Sequence, residues 1–347
     1  MASALETYLN QFSESEWLET VNAISRESHP VDANAVQIWF RFFPLEFRRL
    51  TEKHPDESEL RRSLGLLGDF DLADQIDSSH TFLYGHRFWK VVKAAIEAEA
   101  EVFADQKPSL TDEIKQVAAN IAEKLKVDVS LILGITAVGF MSLNQVGLDK
   151  FKAAAGEIEK PTGLMTKSPD RIVAERQKDD SQGLLGFLRT VDKKYSVNWV
   201  DKDGDGKFGI ISEEEIASAS ARDQSQNWRA RDERAWEGVV PVECRSASCG
   251  TCWVGVLAGE KKLSEVGWRE RRMMKVFGYN QPENEKPNLR LACQAKAYGN
   301  VSIVIPPWNG VFGKTVYGNV EELDLEPVTT SAKKLRETIA SVTSEDE

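Results

Sequence analysis

The chain has 347 residues, of which 41% are hydrophobic and 29% charged, and this length and composition predict about two globular domains. The apolar fraction is too high for a chain that is disordered throughout. The formal charge of −11, without any long run of lysine or arginine, argues against a surface that neutralises phosphates. We therefore expect no nucleic acid partner.

The N-terminal residues form neither a basic nor an apolar segment, so no cleaved secretory signal is visible and a cytoplasmic location is expected. The longest apolar stretch is residues 129–143, which includes Ser130, Thr136 and Ser142. A bilayer span needs about 20 apolar residues, so this stretch predicts a buried helix. Contact with a membrane surface is the less favoured alternative.

Residues 1–160 carry apolar side chains at intervals of three or four, as one face of a helix requires. Residues 36–50, around Pro44, and residues 88–103 repeat this pattern with many aromatic side chains. Ser109 or Thr111 is a candidate cap for the helix that runs to about residue 126. We predict a helical N-terminal domain over residues 1–160.

The second half of the chain has a different texture. Residues 161–189 are polar and interrupted by proline and glycine, which predicts a linker. In residues 190–310 the periodicity changes toward strands, with a hairpin signal at 201–206 and an apparent capping box at 212–215 that would open a helix. Residues 311–347 form an acidic tail. The whole pattern indicates an α+β chain.

All four cysteines fall in one short part of the chain, at Cys244, Cys249, Cys252 and Cys293. Three of them follow a C-x4-C-x2-C spacing, and the fourth stands forty residues further on. This is the plant-type spacing for a [2Fe–2S] cluster held by four thiolates. The small residues between the first three cysteines leave room for backbone N–H groups to point at sulfur. We predict that these four cysteines bind both the cofactor and its metal.

At these residues the sequence resembles the plant-type [2Fe–2S] ferredoxin family. The resemblance extends over residues 190–307 and includes the loop at 244–252 and the segment Arg-Leu-Ala-Cys-Gln at 290–294. It implies a β-grasp ferredoxin-like domain after the helical one, and one-electron transfer. Two stretches, 212–244 and 252–293, are longer than the family pattern leads one to expect, so the family's partner surfaces are not carried over.

Other uses of four cysteines fit the spacing less well. A structural zinc site normally takes two paired C-x2–4-C knuckles, and the second half of this set offers a single cysteine. Disulfides are less expected still in a chain without a secretory signal.

Calcium is a second candidate ligand that we set aside. Asp201, Asp203, Asp205 and Gly206 reproduce the first half of an EF-hand loop, but position 12 is Ser212 where a bidentate glutamate is required. A plain hairpin turn is the favoured interpretation.

The four histidines, His29, His54, His80 and His86, all fall in the helical part. His80 and His86 are six residues apart and would not share one helical face. We expect structural roles for them.

No glycine-rich nucleotide loop and no nucleophile–base pair is evident, so the chain is more typical of an electron carrier or electron-transfer subunit than of a catalyst by itself. We predict a one-electron transfer protein with redox partner proteins, whose helical domain serves docking, assembly or oligomerisation. One alternative is an electron-transfer subunit of a larger oxidoreductase, such as a hydrogenase or dehydrogenase. Another is a scaffold or membrane-attachment protein with an accessory ferredoxin domain.

Overall fold

A computed structural model describes residues 3–103, 109–178, 193–278, 287–311 and 313–317. The chain divides into two compact units that interleave along the sequence. The first comprises Met1–Pro55, Asp69–Gln177 and Val200–Asp205, and the second Asp56–Gly68, Lys178–Trp199 and Gly206–Glu347. Helices dominate the early part and a sheet follows, which confirms the coarse α+β prediction.

The predicted boundaries at 160, 189 and 310 remain predictions. Residues 56–68, which we expected in the helical domain, belong to the second unit. The predicted linker contains a described helix up to residue 176, and its residues 179–189 lie outside the described residues. Of the predicted acidic tail, only residues 311 and 313–317 are described.

Helices form most of the chain up to residue 178. They are α1 (Ala4–Leu9), α2 (Glu14–Glu27), α3 (Ala33–Phe42), α4 (Leu45–Lys53), α5 (Glu57–Ser63), α6 (Trp89–Val102), α7 (Leu110–Leu125), α8 (Ser130–Val146), α9 (Leu148–Ala153) and α10 (Pro169–Arg176). Short 3-10 helices cover Ala73–Gln75, Tyr84–Phe88 and Gly163–Thr166, and strand β1 is Leu67–Gly68.

Local sequence signals explain several helix boundaries. The side chains of Ser3 and Ser13 each accept a backbone N–H three residues on, and a glutamate returns the bond in both cases. The Ser109 side chain accepts the N–H of Asp112 and so caps α7, as predicted. The predicted helix over 36–50 is instead two helices, because Pro44 cannot continue α3 and stands at the start of α4.

The core of the first unit is built around α8, which is buried along most of its length and packs against α2, α3, α6 and α7. Gly139 permits the close approach of α6, since an added Cβ would lie 2.5 Å from Cδ1 of Ile96. The apolar stretch is thus a buried helix, as predicted. Among the described residues, no helix is long and apolar enough to cross a membrane.

His80 and His86 form a buried hydrogen-bonded pair in the first unit. The backbone N–H of Glu159 donates to Nε2 of His86 at 3.0 Å, so this ring carries its proton on Nδ1. That Nδ1 faces Nδ1 of His80 at 3.0 Å, and Nε2 of His80 then donates to the carbonyl oxygen of Ile76 at 3.1 Å. Both rings are therefore neutral, because an added proton would set two donors against each other.

This pair predicts an acid sensitivity of the folded state. Burial lowers the pKa of His86 from 6.5 to about 4 and holds that of His80 well below 6.5. As the pH falls, the histidines of the unfolded chain are protonated before those of the folded chain. The contribution of this pair to the free energy of unfolding is therefore fully present above pH 6.5 and is lost as the pH drops toward 4. At about 1.4 kcal/mol per pKa unit, His86 alone contributes roughly 3 kcal/mol to this fall. The slope of the thermal midpoint between pH 7 and 4.5 should flatten in His86→Gln.

The exposed His54 supplies the control. His54→Gln should keep the wild-type slope, and a His86→Gln slope equal to it would contradict the interpretation.

Strands and short helices form the rest of the second unit. They are β2 (Lys194–Asp201), β3 (Gly204–Ile211), α11 (Ile216–Arg222), α12 (Trp228–Arg231), β4 (Trp253–Ala258), α13 (Trp268–Phe277), β5 (Leu289–Leu291), β6 (Val301–Val304), β7 (Trp308–Asn309) and α14 (Gly313–Tyr317). The five-stranded sheet has the order β3-β2-β6-β4-β5, with β4 antiparallel to both β5 and β6. Strands β1 and β7 form a separate antiparallel pair, so residues 67–68 lie beside residues 308–309.

The predicted capping box at 212–215 is wrong. Glu213 has a φ of +68° and turns the chain, and α11 begins only at Ile216. The Glu214 carboxylate bonds backward, accepting the N–H of Ile211 at 2.9 Å and pairing with Arg222. The Glu214 carboxylate therefore bonds the end of β3 and a side chain of α11. The N-cap residue of α11 makes no side-chain cap bond.

Candidate metal centre

The fold brings the four cysteines together from two places in the sequence. Cys244 and Cys249 lie on the loop before β4, and Cys252 directly precedes that strand. Because Trp253 pairs with Leu291 in the antiparallel β4–β5 ladder, Cys293 follows β5 at the same end of the sheet. The N–H of Ala292 donates to the carbonyl oxygen of Cys252 at 2.9 Å, which fixes this approach.

The loop is wound so that its backbone faces sulfur. Arg245, Ala247 and Gly250 all have positive φ angles, between +55° and +72°. This conformation turns the N–H groups of Ser246 and Ser248 toward Sγ of Cys244, at 3.4 and 3.3 Å. Such donors offset negative charge on a thiolate.

Gly250 is also needed for space. An added Cβ would lie 3.1 Å from the ring of Phe277, on α13. The loop therefore rests against this helix at a position where its positive φ already favours glycine.

The sulfurs associate in two pairs. The hydrogen bond from Cys249 lowers the pKa of Cys244 to about 4, and the same bond raises that of Cys249. In the second pair, the bond between Cys252 and Cys293 raises the pKa of Cys252 and lowers that of Cys293. Cys244 and Cys249 are half-buried, whereas Cys252 and Cys293 are buried.

This arrangement fits a two-iron cluster. Each iron of a [2Fe–2S] cluster takes two thiolates and shares two sulfides, so its donors come in two pairs. Among the described residues, no group of three or more His, Cys, Asp or Glu is placed so that it could hold a single metal ion of any kind. None of the four cysteines is in a disulfide.

A buried ion pair holds the segment of the fourth cysteine, and no sequence pattern predicted it. The Arg290 side chain is 3% exposed and that of Glu270, on α13, is 1% exposed. They bond at 2.9 Å (Nε–Oε1) and 3.0 Å (Nη2–Oε2), and Glu270 also accepts the N–H of Leu291 at 2.9 Å. Arg290 belongs to the segment quoted for the family resemblance, and no sequence signal pairs it with Glu270, twenty positions earlier.

A second support holds the loop itself. Asn309 donates from Nδ2 to the carbonyl oxygen of Thr251 at 2.7 Å and accepts from the buried Arg234 at 2.8 Å. Arg234 also forms an ion pair with Asp232. The long stretch before the first cysteine thus contributes α11, α12 and this arginine, and the long stretch before the fourth contributes α13.

The aspartates around residue 203 form the predicted hairpin. β2 and β3 are sheet neighbours joined by Lys202 and Asp203, and the N–H of Asp203 donates to the Asp201 carboxylate at 2.9 Å. The Asp205 carboxylate is bonded to the hydroxyl of Thr162. The carboxylates of Asp201 and Asp205 therefore already have hydrogen-bond partners in the fold.

We expect no calcium binding by this turn. Isothermal titration of the full chain with calcium chloride should show nothing tighter than about 10⁻³ M, the weak limit of calcium modules. Micromolar binding that Asp203→Asn removes would contradict this.

The comparison with family models agrees with the site. Residues 219–298 match the model of the 2Fe-2S iron-sulfur cluster binding domain, and this range contains all four cysteines. It covers less than half of the chain and so defines the class of this domain alone. The suspected resemblance to the ferredoxin family is confirmed for this part, as is the [2Fe–2S] cofactor. The search of curated proteins gives no match.

Proposed function

We propose that this chain is a one-electron transfer protein in which Cys244, Cys249, Cys252 and Cys293 hold the cluster within a β-grasp domain. The observation that carries the proposal is the β4–β5 register, which places Cys293 beside Cys252 at the end of the sheet where the loop with the other cysteines enters β4. When bound, the cluster supplies a site that gains and loses a single electron. The sheet order, with its last strand β6 at the centre between β2 and β4, supports the β-grasp assignment.

The protein's own residues shape the site for this task. Backbone N–H groups of Ser246 and Ser248 stabilise negative charge on Cys244. Cys252 and Cys293 are buried, which keeps water from that side. The half-buried pair, Cys244 and Cys249, leaves the loop as the edge where a redox partner approaches.

We further propose that the helical unit serves docking or assembly in a cytoplasmic protein. Several of its buried polar groups bond other groups of the same unit: the two histidines bond each other, and Asp32 accepts the N–H groups of Tyr84 and Gly85 at 2.6 and 2.8 Å. These contacts indicate that the buried polar groups stabilise the fold of this unit. Partner proteins would then bind at its surface.

The test uses the full chain, because residues 56–68 belong to the second unit and a truncation at residue 160 would remove β1 from its partner β7. Anaerobic titration with dithionite should consume one electron per chain. Stopped-flow mixing of the reduced chain with ferricytochrome c should then reoxidise it in a single phase. A chain that contains the cluster but takes up no electron, or cannot pass it on, would contradict the function.

A further inference from the structure

Gln294 is the residue after the fourth cysteine, and its amide nitrogen faces three acceptors. Nε2 lies 2.8 Å from the carbonyl oxygen of Cys293, 3.5 Å from Sγ of the same residue and 3.4 Å from the carbonyl oxygen of Arg245. Because all three partners are acceptors, the amide must present its NH₂ group and not its oxygen. One side chain therefore connects the fourth cysteine with the loop that carries the first three.

We propose that Gln294 is a positioning residue that sets the reduction potential of the centre, through its N–H bond to Sγ of Cys293. The inference rests on the proposed function, since it takes the cluster as the redox centre. Cys244 accepts backbone N–H groups, which almost any residue at those positions would supply, and also the hydroxyls of Ser246 and Ser248. Cys293 accepts the backbone N–H of Ala247 and the side chain of Gln294, and a single substitution removes the second donor without altering the loop's backbone.

The direction of the effect follows from charge. Reduction adds one negative charge to the cluster and its thiolates, and an N–H donor stabilises that charge. Gln294 is only half-buried, so loss of its amide also lets water reach this side of Cys293. Water can donate to this sulfur, but with a less fixed geometry than the amide. It therefore replaces only part of the stabilisation that the amide provides. We expect a lower potential when the amide is absent.

The test compares Gln294→Met, which keeps the side chain's length but has no donor, with the wild-type chain. Potentiometric titration followed by electron paramagnetic resonance (EPR) should show the ratio of reduced to oxidised protein falling at least threefold at a fixed potential. With 59 mV per tenfold change for one electron, that is a shift of about 28 mV. The EPR line shape should change as well, because the donor acts at a ligand sulfur.

Gln224→Met is the matched control. Gln224 lies in the same unit and its Nε2 donates only to the carbonyl oxygens of Ala221 and Glu237, at 2.8 and 3.1 Å. Its removal should leave the potential unchanged. A Gln294→Met chain with a full cluster and the wild-type potential would overturn the inference, even if it were less stable, since a purely structural role predicts that result.

A second variant covers failure of Gln294→Met to assemble. Gln294→Glu has the same size and replaces the donor with a carboxylate beside the thiolate, so its potential should fall further than that of the Met variant. An unchanged or higher potential in Gln294→Glu would also overturn the inference. Absence of iron in the wild-type chain would contradict the proposed function instead.

Discussion

Cys252→Ala should abolish the cluster, reducing the iron content from two atoms per chain to near zero and removing the visible absorbance. Cys252 is buried and bonded to Cys293, so its loss leaves one iron with an incomplete donor set and no nearby substitute. Iron and acid-labile sulfide analysis of the purified variant measures this directly. The same result is expected for each of the other three cysteines.

Ser246→Ala provides the control in the same loop. The Ser246 hydroxyl bonds the Ser248 hydroxyl and Sγ of Cys244, and the variant keeps the backbone N–H that faces Cys244. It should retain two irons. A Cys252→Ala chain with a normal iron content would show that this residue is not a ligand.

Glu270→Ala should have the second largest effect, because it leaves the Arg290 guanidinium buried without its counter-ion. Breaking a buried pair by removing one partner costs about 3–5 kcal/mol. The change also leaves the N–H of Leu291 unpaired, on the strand that leads to Cys293. For a unit of this size we expect the thermal midpoint to fall by roughly 10 °C, with partial loss of iron. Thermal unfolding followed by tryptophan fluorescence measures the first effect.

Two comparisons make this result specific. Lys152→Ala removes an exposed ion pair with Glu101 and should cost less than about 1 kcal/mol. Replacing Glu270 and Arg290 together by methionine should recover part of the loss, because no charge is then left buried. A midpoint for Glu270→Ala as close to wild type as that of Lys152→Ala would contradict the role assigned to the pair.

The [2Fe–2S] cofactor could be predicted from the sequence because the cysteine spacing alone encodes it. The C-x4-C-x2-C spacing places three cysteines on one short loop. The fourth cysteine then needs only a neighbouring strand that brings it close to this loop. The helix over residues 129–143 and the hairpin at 201–206 were equally local, since each depends on periodicity or turn chemistry within a few residues.

Long-range features escaped for the opposite reason. Two buried contacts, Glu270 with Arg290 and His80 with His86, form only when the chain is folded. Their spacing in the sequence does not indicate either contact. The place of residues 56–68 in the second unit depends on a two-residue strand pairing with β7, too short for any periodicity. The capping box at 212–215 had the right residues, but a left-handed turn at Glu213 put them to other uses.

The most direct test of the account is the metal and spin content of the purified full-length chain. Two irons, two sulfides and, after anaerobic reduction with dithionite, one S = ½ EPR signal per chain are the predicted result. One zinc per chain without iron, or an iron-loaded chain that gives no such signal on reduction, would contradict a one-electron centre at these cysteines.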